Sequence, residues 1–261
     1  MGDLEKSDLW LQGLKRLNSV IESSGQQLVG NLCYDHLQED YVESPPNPIF
    51  RSKRDRFRKA AKGRIRMLEV GVNGGHSAYL ALTSNPTLEF HGIDICEHTY
   101  VLPAVAQLQQ DFPGRVFFHR GDCLEVLPRL AEGRQQFDIF HIDGAKHTYL
   151  EDVLWCERII AGESATIVMD DTEQEGVSWA WRICTSLGVI EPEPDFLPMS
   201  DRSKYRNQVG TLRALPSWKR LVLRAIVAGV ALALRARHQA RNFVRFRLSG
   251  SQPTGEPTGR G

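Results

Sequence analysis

From Ile65 onward the chain switches repeatedly between short apolar runs and stretches of helical period, and this alternation constrains the fold most. Ile65–Val70, Leu88–Ile95, Val116–His119, Phe137–Ile142 and Ala165–Met169 read as strands. A Gly-rich turn and a helix through Leu82 follow the first strand. Helices over Val101–Gln110, Leu124–Leu130 and Tyr149–Ile160 separate the next ones. A helix over Val177–Leu187 and a last strand over Gln208–Leu212 complete the series. Strands alternating with helices across short connections give an α/β domain with a mainly parallel sheet. Such sheets bind ligands beyond the C-terminal ends of their strands, so the chemistry is sought there.

The flanks are different. Residues 4–22 carry Trp10, Leu14, Leu17 and Ile21 at helical spacing, and Ser23-Ser24-Gly25 ends that helix. Residues 26–50 are irregular, with Pro45-Pro46-Asn47-Pro48 forcing an extended turn. Residues 51–66 hold nine Lys/Arg against one Asp and read as a solvated helix, with contact to an anionic substrate as the sharper alternative. The boundaries are 1–50 for the N-terminal helix and a cap, 51–215 for the α/β domain, 216–248 for a basic helical tail and 249–261 for a disordered end.

The zero net charge argues against a nucleic-acid partner, but it conceals nine Lys/Arg against one acid in residues 216–261. Five cysteines without a CxxC pair point to a reducing cytoplasm rather than a disulfide framework or a zinc site. The opening residues lack an apolar signal segment.

Three strand ends and one loop carry the first functional signal. Strand one runs into Glu69-Val70-Gly71-Val72-Asn73-Gly74-Gly75-His76-Ser77. Glycines there let backbone approach a ligand, and a helix opening at Ser77 favours an anionic group at its N-terminus. The loop is neither GxGxxG nor a phosphate-binding P-loop, which disfavours a dinucleotide. Strand two ends in Asp94, an acid placed to hold ribose hydroxyls, and strand three in Asp122, within reach of a base edge. With Glu69, Gly71 and Gly75 meeting E/D-x-G-x-x-x-G, the stretch 65–215 resembles the class I S-adenosylmethionine-dependent methyltransferases. The resemblance implies a Rossmann-like, doubly wound, seven-stranded sheet with helices on both faces. It implies that the Gly71–Gly75 loop, Asn73 included, holds the methionine part and Ser77 its carboxylate, with Asp94 on the ribose and Asp122 near the adenine.

The second signal is acidic. Asp143 ends strand four, and Asp170-Asp171 ends strand five. Crowded carboxylates repel one another unless a cation is present, and hard oxygen donors suit Mg²⁺. Asp143, Lys146 and Tyr149 fit D-x-x-K-x-x-Y, followed by an acidic pair. This is similar to the metal-dependent O-methyltransferases of the catechol and caffeoyl-coenzyme A type. Ile142-Asp143-Gly144 with His147 and Tyr149 also resembles, more loosely, a bacterial family with D-G-x-H-x-Y. The resemblance implies Asp143, Asp170 and Asp171 as metal ligands and a proton acceptor at Lys146 or His147. His141 reads as a packed residue, and His76 as a turn residue.

The expected activity is methyl transfer from S-adenosylmethionine to a hydroxyl of a small molecule, with Mg²⁺ assisting. The acceptor pocket is expected from residues 26–50 and 191–207. One rival drops the metal and takes a sugar, an amine or RNA. Another is a non-catalytic, membrane-tethered binding module. Residues 217–247 read as a basic helix whose apolar stretch Leu221–Leu234, about 21 Å long, is too short to span a bilayer. That helix suits packing on this domain or in a homodimer, or lying on an anionic membrane.

Overall fold

Strand β1 (Arg66–Val70) is buried on both faces, with Met67 and Leu68 pointing to opposite sides of the sheet. Its neighbours are β2 (Glu89–Asp94) and β4 (Ile139–Ile142), both parallel to it. The computed structural model describes residues 7–35, 38–196, 205–218, 220–222, 224–225, 227–229 and 232. Adding β3 (Val116–Arg120), β5 (Ser164–Met169), β6 (Ile190–Pro192) and β7 (Gln208–Arg213) gives a seven-stranded sheet in the order β3-β2-β1-β4-β5-β7-β6. The first five are parallel, and β7 runs antiparallel to β5 and β6. The order reverses between β1 and β4, which opens a crevice at the C-terminal ends of those strands.

Period-two alternation sends strand side chains into two separate cores. One face packs Met67, Phe90, Ile139 and Val168 against α1 (Asp8–Glu22), α2 (Arg51–Ala61), α3 (His76–Ser84) and α4 (Val101–Asp111). The other packs Leu68, Phe140, Ile142 and Ile167 against α5 (Cys123–Glu132), α6 (Tyr149–Glu157) and α7 (Glu175–Ser186). Each fully buried residue of this size contributes about 1.5–3 kcal/mol, so the strands are fixed in depth and register. Ser7 caps α1 by accepting from the Trp10 N–H, and Leu14, Leu17 and Ile21 form its buried stripe.

The sequence did not single out β6. It is three residues long, ends in Pro192, and has no period of its own. The basic segment is a helix, as expected, but not a solvated one: Lys53, Arg54 and Phe57 of α2 are buried. The described residues between Ser217 and Leu232 are helical and begin docked on the domain. Arg220 makes two hydrogen bonds to the buried Glu157 carboxylate, at 2.8 and 2.9 Å, and Val227 enters the second core. The rest of the expected tail, from 233 onward, lies outside the described residues. No helix among the described residues is long and apolar enough to cross a membrane.

Candidate active site

A cavity of about 690 Å³ opens at the crevice between β1 and β4. Gly71, Asn73, Asp94, Asp122, Asp143 and His147 are among the residues that line it. Gly71 has φ +90°, and a Cβ there would stand 2.4 Å from the Asp143 carbonyl oxygen. Only glycine lets the loop after β1 press against the end of β4. Asn73, at φ 50°, donates its backbone N–H to Asp94 Oδ2 at 2.9 Å and accepts from the Tyr100 hydroxyl at 2.6 Å. Its amide nitrogen bonds the carbonyls of Val29 and Gly30, so it ties the N-terminal cap to the loop. Asp94 also accepts from the Cys96 N–H at 2.7 Å, which fixes its carboxylate at the rim. Asp122 caps α5 through the Leu124 N–H while facing the same cavity.

Behind this loop Glu69 and Ser77 form a pair. Glu69 is fully buried; it accepts from the Ser77 hydroxyl at 2.5 Å and contacts His141 Nδ1 at 2.5 Å. Neither Glu69 nor Ser77 lines the cavity. Gly75, at φ +74°, ends the loop, and α3 begins at His76, one residue before the expected Ser77. His76 is a buried helical residue bonded to Asn18 at 2.9 Å, not a turn residue. Burial pushes its imidazole down to about 3.

The three aspartates meet, and two lysines meet them. Lys146 Nζ lies 3.0 Å from Asp143 and 2.7 Å from Asp171. Lys53 Nζ, brought in by α2, lies 2.6 Å from Asp170 and 3.7 Å from Asp171. Burial alone would lower the Lys146 pKa, but the Asp143 and Asp171 carboxylates outweigh it and hold the ammonium above the ordinary lysine range. Lys53 follows the same pattern, with Asp170 as the main opposing charge. Burial and the Asp170 carboxylate push Asp143 up to about 6. A second cavity, of about 340 Å³, opens on this cluster. Tyr34 and Phe50 from the N-terminal cap, Tyr205 from the segment before β7, and Lys53, Asp170 and Asp171 line it. Asp143 lines both cavities.

With this geometry in view, comparison with known proteins is informative. Residues 68–172 match a family model described as a methyltransferase domain. Over that stretch the chain is similar to a methyltransferase domain. Among solved structures the fold is shared with an O-methyltransferase from Bacillus cereus in complex with SAH. That match has 14% identity and a TM-score of 0.58 over 79% of this chain and 91% of the other. It is also shared with the O-methyltransferase TomG from Streptomyces achromogenes, involved in tomaymycin synthesis and in complex with SAM. Here the identity is 21% and the TM-score 0.52, over 80% and 92% of the two chains. At such identities the likeness establishes the fold. No curated protein matches the chain.

The residues singled out from the sequence fall into two groups. Gly71, Asn73, Asp94, Asp122, Asp143 and His147 come together on the larger cavity. Asp170 and Asp171 lie on the smaller one, with Lys146 bonded to Asp143 and Asp171 beside it. The two candidate proton acceptors are separated: Lys146 sits inside the acidic cluster, and His147 is exposed at the rim of the larger cavity. Two residues that meet the acidic cluster escaped the sequence reading. Lys53 was hidden in a basic run of mostly solvated charges, and its spacing of three and four from the buried Phe50 and Phe57 is the signal that could have found it. His141 was read as packing, and it is packed, 4.7 Å from the Phe57 ring, but it also faces the carboxylates.

Proposed function

We propose that this methyltransferase moves the methyl group of S-adenosylmethionine to a hydroxyl oxygen of a small molecule. The observation that carries the reading is that the two cavities share Asp143. A cofactor in the larger cavity, with its ribose on Asp94 and its adenine toward Asp122, would present its methyl group toward Asp143. An acceptor in the smaller cavity would meet it there. The neighbours' SAH and SAM complexes support the choice of cofactor. The sulfonium methyl is already activated, so the protein's tasks are alignment, exclusion of water and stabilisation of a developing oxygen anion.

Lys146 suits the last task. Its ammonium stands 3.2 Å from the Tyr149 hydroxyl and 3.0 Å from Asp143, the residue that lines both cavities. Held protonated, it orients an acceptor hydroxyl and offsets charge on its oxygen but cannot take the proton. Lys53 does the same from the floor of the acceptor cavity. As the O–CH3 bond forms and the S–CH3 bond breaks to leave S-adenosylhomocysteine, the proton would pass to His147 on the larger cavity. Tyr34, Phe50 and Tyr205 give that cavity an aromatic wall, which favours a planar or apolar acceptor over a chain of charged groups.

The donors also fit a divalent cation. Asp171 faces both lysines, but the second oxygens of Asp143 and Asp170 accept no hydrogen bond from a described residue. These two carboxylates and His141 offer ligand atoms within 4.8 Å of one another. A bound cation would supply Lewis acidity toward the acceptor oxygen and would offset the field that keeps Lys146 protonated. One observation favours a metal-independent alternative: two ammonium groups already stand against the three aspartates.

The test is transfer of label from methyl-labelled S-adenosylmethionine to catechol, phenol, sugar-hydroxyl and amine acceptors, with and without chelator. Label in a hydroxyl product, sensitive to chelator, is the expected result. Label confined to amines overturns the oxygen reading, and turnover indifferent to chelator establishes the metal-independent alternative.

A further inference from the structure

His141 is fully buried, and its two ring nitrogens have different surroundings. Nδ1 contacts the Glu69 carboxylate at 2.5 Å, while Nε2 has no hydrogen-bond partner. An orphaned buried ring nitrogen is costly unless something occupies it. Nε2 does not face the apolar core alone: it lies 3.9 Å from Asp170 Oδ2. Nε2 and one carboxylate oxygen each from Asp143 and Asp170 all lie within 4.8 Å of one another. With Nδ1–H donating to Glu69, Nε2 presents a lone pair to that space. A histidine held by a carboxylate on one nitrogen and presenting the other is the arrangement proteins use to orient a metal ligand.

Charge points the same way. Four carboxylates stand in this contact network: Glu69, Asp143, Asp170 and Asp171. Two ammonium groups oppose them, Lys53 and Lys146, which with the His141 imidazole neutral leaves an excess of two negative charges in a largely buried place. One divalent ion offsets that excess. The lysines also settle which aspartate is left for structural pairing. Asp171 lies within 4.0 Å of both ammonium groups, whereas Asp143 and Asp170 are each within that distance of one.

We propose that His141, Asp143 and Asp170 form a divalent-metal site, with Glu69 orienting the imidazole and Asp171 serving the two lysines instead of the ion. This deepens the methyl-transfer reading above and rests on it only for the use made of the metal. An imidazole and two carboxylates suit Mn²⁺, Fe²⁺, Co²⁺ or Zn²⁺ better than Mg²⁺, which favours oxygen alone. The ion would be reached from the acceptor cavity, which Asp143 and Asp170 line. It would stand where an acceptor oxygen can complete its coordination.

The experiment uses the full chain and Mn²⁺ as the probe. Loss of the aqueous Mn²⁺ resonance on titration measures binding, and electron spin-echo modulation of the bound ion reports directly coupled nitrogen. The expected result is one bound Mn²⁺ per chain with a single imidazole nitrogen coupling in the wild type. His141→Gln should weaken binding at least ten-fold, Glu69→Gln about ten- to a hundred-fold, and Asp171→Asn less than three-fold. Bound Mn²⁺ with oxygen couplings only would overturn the proposal in favour of an all-carboxylate site. No bound Mn²⁺ would overturn it in favour of a proton on Nε2. The nitrogen coupling is read in the unsubstituted protein, so misfolding of a variant does not blunt the test. S-adenosylmethionine affinity, measured calorimetrically on the metal-free chain, separates failure of this site from failure of the methyltransferase reading.

Discussion

Replacing Gly71 with alanine tests whether the larger cavity is built by a backbone contact between β1 and β4. A Cβ on Gly71 would lie 2.4 Å from the Asp143 carbonyl oxygen, 2.8 Å from its carbon and 3.0 Å from Gly144 Cα. All three atoms are backbone, so no side chain can rotate away. The left-handed φ of +90° adds about 1–2 kcal/mol for any residue with a Cβ. Forcing apart a packed backbone contact adds about 1–3 kcal/mol. The sum is about 2–5 kcal/mol, a large part of the stability of an ordinary domain. Gly63 supplies the control. Its φ is +73°, and nothing lies within 4 Å of the Cβ it would carry. Gly63→Ala should therefore cost only the conformational part, about 1–2 kcal/mol. Urea unfolding of both variants, with unchanged denaturant slopes, measures the difference. The Gly71 variant should be less stable by about 1 kcal/mol or more beyond the control and should bind S-adenosylmethionine at least ten-fold more weakly. Equal losses in the two variants would refute the argument that the loop is pressed against Asp143.

Three further outcomes follow from particular contacts. Asp94→Ala should weaken S-adenosylmethionine binding at least ten-fold by calorimetry, because it removes the carboxylate that fixes the Asn73 and Cys96 N–H groups as well as the expected ribose ligand. Burial pushes the Asp152 carboxyl up to about 7, so the native state keeps a proton that the unfolded chain releases above about 4. Its contribution therefore falls as pH rises from about 4 to about 7, and Asp152→Asn should flatten that fall in thermal melts taken across the range. Arg220→Ala should cost about 3 kcal/mol in urea unfolding, since it leaves the buried Glu157 carboxylate with only the Leu215 N–H among its described partners. A loss below about 0.5 kcal/mol would mean that the docked start of the tail is not coupled to the domain.

Most of the sheet was legible because its strands are short apolar runs bounded by turn residues; five of them are parallel, and β1, β2, β4 and β5 are buried on both faces. β6 was not, because three residues ending in proline owe their conformation to β7 rather than to their own pattern. The residues of the larger cavity were legible because glycine and acids at strand ends are local signals; Gly71, Asp94 and Asp122 all face it. Glu69 and Ser77 satisfy the same local pattern yet turn away from the cavity, because their side chains bond each other and His141 behind the loop. No local signal separates those two outcomes. Lys53 is 117 residues from Asp170, and what joins them is the packing of α2 over β4 and β5, with Phe57 against His141. Long-range pairing of this kind leaves no trace in a short window of sequence. The sequence offered an acceptor pocket only as two segments, 26–50 and 191–207; from those segments Tyr34, Phe50 and Tyr205 line the smaller cavity, and no spacing marked them.

The central claim is that the cavity at the ends of β1 to β4 holds S-adenosylmethionine. Calorimetric titration of the full chain with S-adenosylmethionine tests it most directly. The account predicts one site per chain with micromolar affinity, at least ten-fold weaker in Asp94→Ala and unchanged in Arg220→Ala. A folded wild-type chain that releases no heat and shows no thermal shift with millimolar S-adenosylmethionine would contradict it.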